Sequence, residues 1–488
     1  MKLKRIILTF FGVVICVVLL VGCKEGGKAD YTLSENSCGS ETASSIDTIS
    51  EDVNNQYIHD GSFESIDGKV VFDWDVILNA VALPTQIVNT SPRFYLGEDI
   101  KTIVCSLLGE DAIYYEYGPK SFRQLSKCEI ENRMEILGPY TDDNLCKSTL
   151  RNNYSSSDVQ KQLKTYSNSY FNAPDYYSYQ LCDWKLKKSS YYNDTNEFSL
   201  DSSNMNRLKV IAFLGKRDYY ISAAVENTDE SQYNIITMQL GDGTDPILRD
   251  IQIADMCFLS EPTQEQIDEL KEKAQSYLNL LDLGVYNVVA AKPVPLSYGT
   301  IPRYAISIKA TQVLHGIPVI ADQSVITSGI DNLNLESGND ANYPFTNIRF
   351  IFGEHGEIIE FTMEGILYNG DIKAGASENL TMKAMCEAVE KHFSKISFDD
   401  FDAMTGNNAW ELELFTNIPK EKICFSVDIN NVQFGLARKI LSSNTFEYLP
   451  TAVFSGDISC IDSETGNVLR EVSRSLLLVS TTSGEIIY

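Results

Sequence analysis

The segment Pro262-Thr263-Gln264-Glu265-Gln266-Ile267-Asp268-Glu269-Leu270 decides how the second half of this chain is read. Thr263 followed three residues later by Gln266 has the spacing of a capping box, in which each end of the motif satisfies a backbone donor of the first helical turn. Ile267, Leu270, Ala274, Leu278 and Leu281 then continue one apolar stripe at helical period until Gly284 stops it. The pattern changes to strands at Tyr286 to Ala291, Arg303 to Val313, Ile317 to Val325, Ile348 to Phe352 and Ile358 to Met363.

The same order recurs downstream. Asn379 stands as a cap before a stripe of Met385, Ala388, Val389, Phe393 and Ile396. Strands follow at Ile423 to Ile429, Gln433 to Lys439, Ala452 to Ile461, Val468 to Val472 and Leu476 to Tyr488. Three polar turns, around Gly356, Gly466 and Gly484, each place a glycine between two apolar runs, where a hairpin needs positive φ. These features predict an α+β fold built from antiparallel β-meanders, each with a packed helix. Two related modules are expected at 257–375 and 376–488.

Upstream, residues 63–256 form an N-terminal α+β region. It opens with a strand at Lys69 to Leu78 whose later half alternates, so one face is wet, and continues with a helix from Glu98 to Leu108 ended by Gly109. Leu208 to Phe213, Tyr219 to Val225 and Tyr233 to Leu240 have strand composition. Tyr140 to Asn204 is polar, and its elements are the least defined.

At the start, Lys2, Lys4 and Arg5 precede an apolar run from Ile6 to Val21 that closes on Leu20-Val21-Gly22-Cys23. The run falls short of the roughly twenty residues that span a bilayer, and the cysteine stands where a lipoprotein signal is cut. Residues 1–22 are therefore expected to leave as a signal peptide, with cleavage between Gly22 and Cys23 and a diacylglycerol on the Cys23 sulfur. Residues 23–62 lack apolar bulk and predict a flexible tether with a reach on the order of 35 Å. Together these predict lipid anchoring on the extracytoplasmic face of the cell membrane.

The chain has 488 residues, with 40 Lys and Arg against 67 Asp and Glu. Losing the leader leaves 37 basic residues against 67 acidic ones, a net charge of -30. Such a surface repels phosphate polymers and argues against nucleic acid, while cationic partners, metal ions and neutral glycans remain compatible with it. Of 11 cysteines, Cys16 lies in the leader and Cys23 at its cut. The other nine have none of the spacings that mark a zinc or iron-sulfur site, and most are read as buried thiols.

The lipobox and acidic tether, the Val76-to-Pro84 run, the Gly97-to-Gly109 helix, the His315-Gly316-Ile317-Pro318-Val319 turn and the closing hairpin to Ile487 resemble Gram-positive lipoproteins known only as a domain of unknown function. More distantly, the helix-plus-meander halves are similar to PepSY-type modules and to the extracytoplasmic Yyc regulators of a sensor kinase. That resemblance implies a module that binds or restrains another protein, and it supplies no catalytic residue.

No nucleophile elbow, phosphate loop, dinucleotide fingerprint or zinc-protease motif is present, and no cofactor is implied. His59, His315, His355 and His392 are scattered, the first at the end of the tether. Gly241 to Asp245 with Asp250, and Asp399, Asp400 and Asp402, bring hard oxygens together in the manner of solvated turns or calcium loops. Tyr176, Tyr177, Tyr179 and Trp184 are the candidate ligand contacts, because aromatic faces among amides and hydroxyls suit a sugar ring, a protein partner or an irregular core. The expected function is a non-catalytic binding or regulatory module for an envelope protein. A glycan or small-ligand binder is the alternative, followed by a glycan hydrolase.

Overall fold

Burial alternates along Val70–Asn79, and this strand shows how the sheets of the computed structural model are made: Val70, Phe72, Trp74 and Val76 are buried, while Asp73, Asp75 and Ile77 are exposed. The structure describes residues 56–79, 83–117, 125–150, 154–175, 180–188, 205–228, 232–241, 245–296, 299–320, 346–373, 379–405, 416, 418–442 and 445–487. Cys23 and Gly22, Tyr176, Tyr177 and Tyr179, and the centre of the Gly241 to Asp245 turn lie outside the described residues.

The fold is α+β, as expected. In chain order its main elements are β1 (Gln56–Glu64), β2 (Val70–Asn79), β3 (Ile87–Thr90), α1 (Gly97–Leu108), β4 (Ile113–Glu116), α2 (Lys127–Leu137), α3 (Asp143–Thr149), α4 (Ser156–Tyr170), β5 (Lys187–Lys188), β6 (Asn206–Leu214), β7 (Arg217–Asn227) and β8 (Gln232–Leu240). Then come α5 (Pro246–Met256), α6 (Gln264–Asn279), β9 (Val285–Leu296), β10 (Arg303–Leu314), β11 (Ile317–Pro318), β12 (Asn347–Phe352), β13 (Ile358–Glu364), β14 (Asp371–Lys373), α7 (Met382–Phe393), α8 (Phe398–Thr405), β15 (Ile423–Ser442), β16 (Thr445–Asp462) and β17 (Val468–Ser480). Among the described residues the strands form a 10-stranded and a 7-stranded sheet.

The larger sheet contains one arrangement twice. α1 precedes the antiparallel ladder β4-β6-β7-β8, and α6 precedes the ladder β9-β10-β12-β13. The two ladders meet where β8 pairs antiparallel with β13, Thr237 opposite Thr362. Both helices press the same core, with Ile100, Ile103 and Val104 of α1 and Leu270, Ala274 and Leu278 of α6 against Val210, Met238, Phe350 and Phe361 of the sheet. Backbone pairing therefore crosses the boundary expected at residue 256, and the helix-plus-meander unit of 257–375 has its counterpart upstream of it in this sheet. The last strand of a meander leaves a row of unpaired amides and carbonyls, and pairing β8 with β13 satisfies both rows.

The smaller sheet also draws on distant parts of the chain. β15 pairs in parallel with β2 and antiparallel with β16, and β16 in turn pairs with β17 and β3. The module expected at 376–488 is thus completed by strands from residues 56–90. Two strands expected at Ile423 to Ile429 and Gln433 to Lys439 are one strand with an irregularity between Ile429 and Asn431. The flexible tether expected at 23–62 does not extend through its last residues, because Gln56 to Ser62 lie in β1 and pair with β2. α7 and α8 cover the inner face, Phe72 stacking 4.7 Å from Phe393 and meeting Phe401 edge-on at 5.5 Å.

The polar region after Tyr140 contains helices that periodicity alone did not mark. α4 carries a capping box from Ser155 and Asp158, and its Tyr166 is buried in a network, accepting a hydrogen bond from Arg133 at 2.9 Å and donating one to Asp245. Arg133 also pairs with buried Asp218 at 3.3 Å. At the outer end of the large sheet, the Gln275 side chain of α6 donates to the Tyr286 carbonyl at 2.8 Å and accepts from the Val288 amide at 2.9 Å, as another strand would. Farther along β9, Pro293 and Pro295 remove donors from the ladder.

Candidate docking face

The outward face of the smaller sheet carries an acidic row set by register. Antiparallel pairing of β1 with β2 places Asp60 opposite Asp75 and Ile58 opposite Ile77. Parallel pairing sets Asp428 of β15 beside Asp73, and β16 places Asp457 opposite Asp428. Ile58 and Ile77 are 60% and 59% exposed, so the row adjoins an apolar cross-strand pair open to solvent.

Like charges directly opposite one another destabilise a ladder. Partial burial, followed by the charges of Asp75, Asp457 and Asp73, raises the Asp428 carboxyl above its ordinary range. Asp457 accepts hydrogen bonds from Asn430 at 2.8 Å and from Ser473, both neutral donors. Among the described residues none of the five aspartates forms an ion pair, and no three His, Cys, Asp or Glu side chains are grouped to hold one metal ion. Neighbouring strands lie about 4.8 Å apart, so the carboxylates form a spaced series that positive charges along one chain can match.

The residues singled out from sequence have other settings. Trp184, at φ 54, packs partly buried against the large core with its ring 5.4 Å from Tyr114. Asp245 caps α5, accepting from the Leu248 amide at 3.1 Å. Asp399 and Asp402 both face Lys420, at 2.8 and 3.9 Å. His59 sits inside the smaller sheet against Trp74 and is no part of a tether. His315 and Gly316, at φ 49 and 84, form the tight turn between β10 and β11, where the His315 ring meets the Gly370 carbonyl at 3.0 Å. Burial and then Lys395 lower the pKa of His392.

None of the described cysteines is in a disulfide, and Cys146, Cys257, Cys386 and Cys460 are buried. Burial pushes Cys182, Cys257, Cys386 and Cys460 up to about 12, which keeps these thiols protonated and unsuited to nucleophilic work.

Sequence reasoning found the wet face of β2 but not the acidic row, because Asp428 and Asp457 join it only through pairing across more than 300 residues. The signal within reach was the Asp73-Trp74-Asp75 alternation.

No protein-family model matches the chain, and no curated protein matches it. Among solved structures it is similar to an uncharacterised protein from Eubacterium rectale ATCC 33656, at 9% identity over 86% of this chain and 91% of that one, with a TM-score of 0.33. A likeness that distant carries no argument for function.

Proposed function

We propose that this chain is an extracytoplasmic lipoprotein, held at the cell membrane by lipid on Cys23, that binds a basic stretch of an envelope protein on the outward face of its smaller sheet. The observation that carries this reading is the row Asp60, Asp75, Asp73, Asp428 and Asp457, which lacks counter-ions among the described residues and borders the exposed Ile58 and Ile77. Repulsion along the row lowers the stability of the free sheet, and a partner carrying spaced lysines or arginines relieves it on docking. Apolar side chains of that partner cover the isoleucine pair. The membrane part of the reading rests on the Leu20-Val21-Gly22-Cys23 sequence, and two acyl chains hold a protein far more firmly than one.

Site-specific photo-crosslinking in intact cells tests the docking face. A crosslinker at position 75 is expected to capture a discrete envelope protein, and one at exposed Glu265 on α6 is not. Equal capture from both positions, or none from position 75, refutes the assignment. For the anchor, Cys23→Ala is expected to abolish incorporation of labelled fatty acid, and continued labelling refutes it.

A further inference from the structure

The docking face is built partly on an edge strand that is gripped from behind. Ile58 and Asp60 point outward from β1, while Tyr57, His59 and Phe63 point inward and are half-buried. The grip centres on Glu390 of α7, whose carboxylate accepts from the Trp74 indole at 3.0 Å and meets His59 Nε2 at 3.3 Å. The Tyr57 hydroxyl meets His59 Nδ1 at 3.2 Å, and Tyr57 packs against the core cluster that holds Cys386. The His59 ring stands edge-on to Trp74 at 4.8 Å, and Phe63 stacks on Phe72 at 4.7 Å.

Two features set β1 apart from the sheet it joins. Gly61, at φ 146 with open space around its α-carbon, divides the strand between the His59 grip and the Phe63 stack. Much of the core behind it packs without β1: Phe72 packs on Phe393 and Phe401, and Glu390 keeps its bond from Trp74 if His59 leaves. A segment whose release uncovers only the patch directly behind it, Cys386 included, opens locally, below the free energy of global unfolding.

We propose that β1 is a strap that opens independently of the rest of the smaller sheet, and that docking of a basic chain closes it. The coupling rests on the docking reading above. A ligand that touches Ile58 and Asp60 on the strap together with Asp75 and Ile77 behind it binds the closed form more tightly than the open one, so it shifts the population toward closure. Reciprocally, anything that draws β1 away weakens docking.

Cys386 reports the state of the strap, because it is fully buried in the core against which Tyr57 packs. The full chain is treated with iodoacetamide under native conditions, and modification is followed peptide by peptide, with buried Cys257 and Cys460 as internal references. Cys386 is expected to react faster than both. His59→Ala is expected to accelerate it at least about tenfold, since the bond to the Glu390 carboxylate alone has about that effect and the Tyr57 contact is lost with it, and Glu390→Gln is expected to accelerate it less.

Polylysine, with its binding measured in parallel by titration, is expected to slow Cys386 and leave the references unchanged. If Cys386 reacts no faster than Cys257 and Cys460 in the native chain and in His59→Ala alike, the strap does not open by itself and the proposal falls. If polylysine binds and Cys386 is not slowed, the coupling is wrong. If polylysine fails to bind, the docking reading and the coupling that depends on it fall together, while the His59→Ala comparison still decides whether the strap opens.

Discussion

Replacing Asp428 by asparagine removes one charge from the middle of the acidic row at nearly constant volume. Asp428 has Asp73 and Asp457 directly beside it in register and also feels Asp75. Like-charge pairs across strands cost roughly 0.2 to 1 kcal/mol each, and these side chains are largely exposed, so Asp428→Asn is expected to stabilise the smaller sheet by on the order of 1 kcal/mol at low salt. Urea unfolding followed by the fluorescence of Trp74 in a chain with Trp184 and Trp410 replaced by Phe reads this, since the Trp74 indole is buried in that sheet. At about 0.01 M salt the screening length is roughly 30 Å and the gain is present in full, while at about 1 M it falls to roughly 3 Å and the gain largely disappears.

The pH dependence has a definite sign. The carboxyl is raised in the folded state, so its penalty is present in full above the folded pKa and is relieved as pH falls through that value toward the unfolded one. Wild type and Asp428→Asn should therefore converge in stability on mild acidification. The same substitution should weaken polylysine binding about fivefold, the equivalent of ~1 kcal/mol. A variant less stable than wild type at low salt, or a gain unchanged at high salt, refutes the view that the row is under electrostatic strain.

Other substitutions probe the frame around the face. Arg133→Met removes the guanidinium that lies 3.3 Å from buried Asp218 and is expected to cost about 3 to 5 kcal/mol, measured by urea unfolding. Gly97→Ala would set a methyl 1.7 Å from the Trp184 carbonyl, so the loop carrying Trp184 must move. A loss of about 1 to 3 kcal/mol is expected, with a change in near-ultraviolet circular dichroism. Phe72→Ala empties the contact with Phe393 and Phe401 and should cost about 3 to 5 kcal/mol, while leaving protection of the larger sheet in hydrogen exchange unchanged.

What could be read from the sequence was what is encoded locally. The Thr263 and Gln266 capping box is present as expected, because both partners lie within one helical turn. The next helix starts two residues later than the expected cap: Thr381 accepts from the Ala384 amide, and Asn379 instead donates to the Leu83 carbonyl. A cap is chosen by backbone conformation, and residue type narrows the choice without making it. The composition of Gln56-Tyr57-Ile58-His59-Asp60-Gly61, with little apolar bulk, predicts tether, yet each residue of β1 pairs with β2. A strand of this kind is stabilised by a neighbour that composition does not reveal. The acidic row lies beyond local reading for the same reason, since a one-residue slip of β15 against β2 would turn Asp428 inward.

Gln275 gives the large sheet a stopper. Sheets propagate by offering their last strand to the next molecule, and at its outer end this one offers a side-chain amide already seated on the two backbone groups a neighbour would need first. Two prolines then block the ladder farther along. Copies crowded together at high local concentration can collide there without zipping into a continuous ribbon. A single glutamine on a helix thus limits how the protein meets itself at this edge.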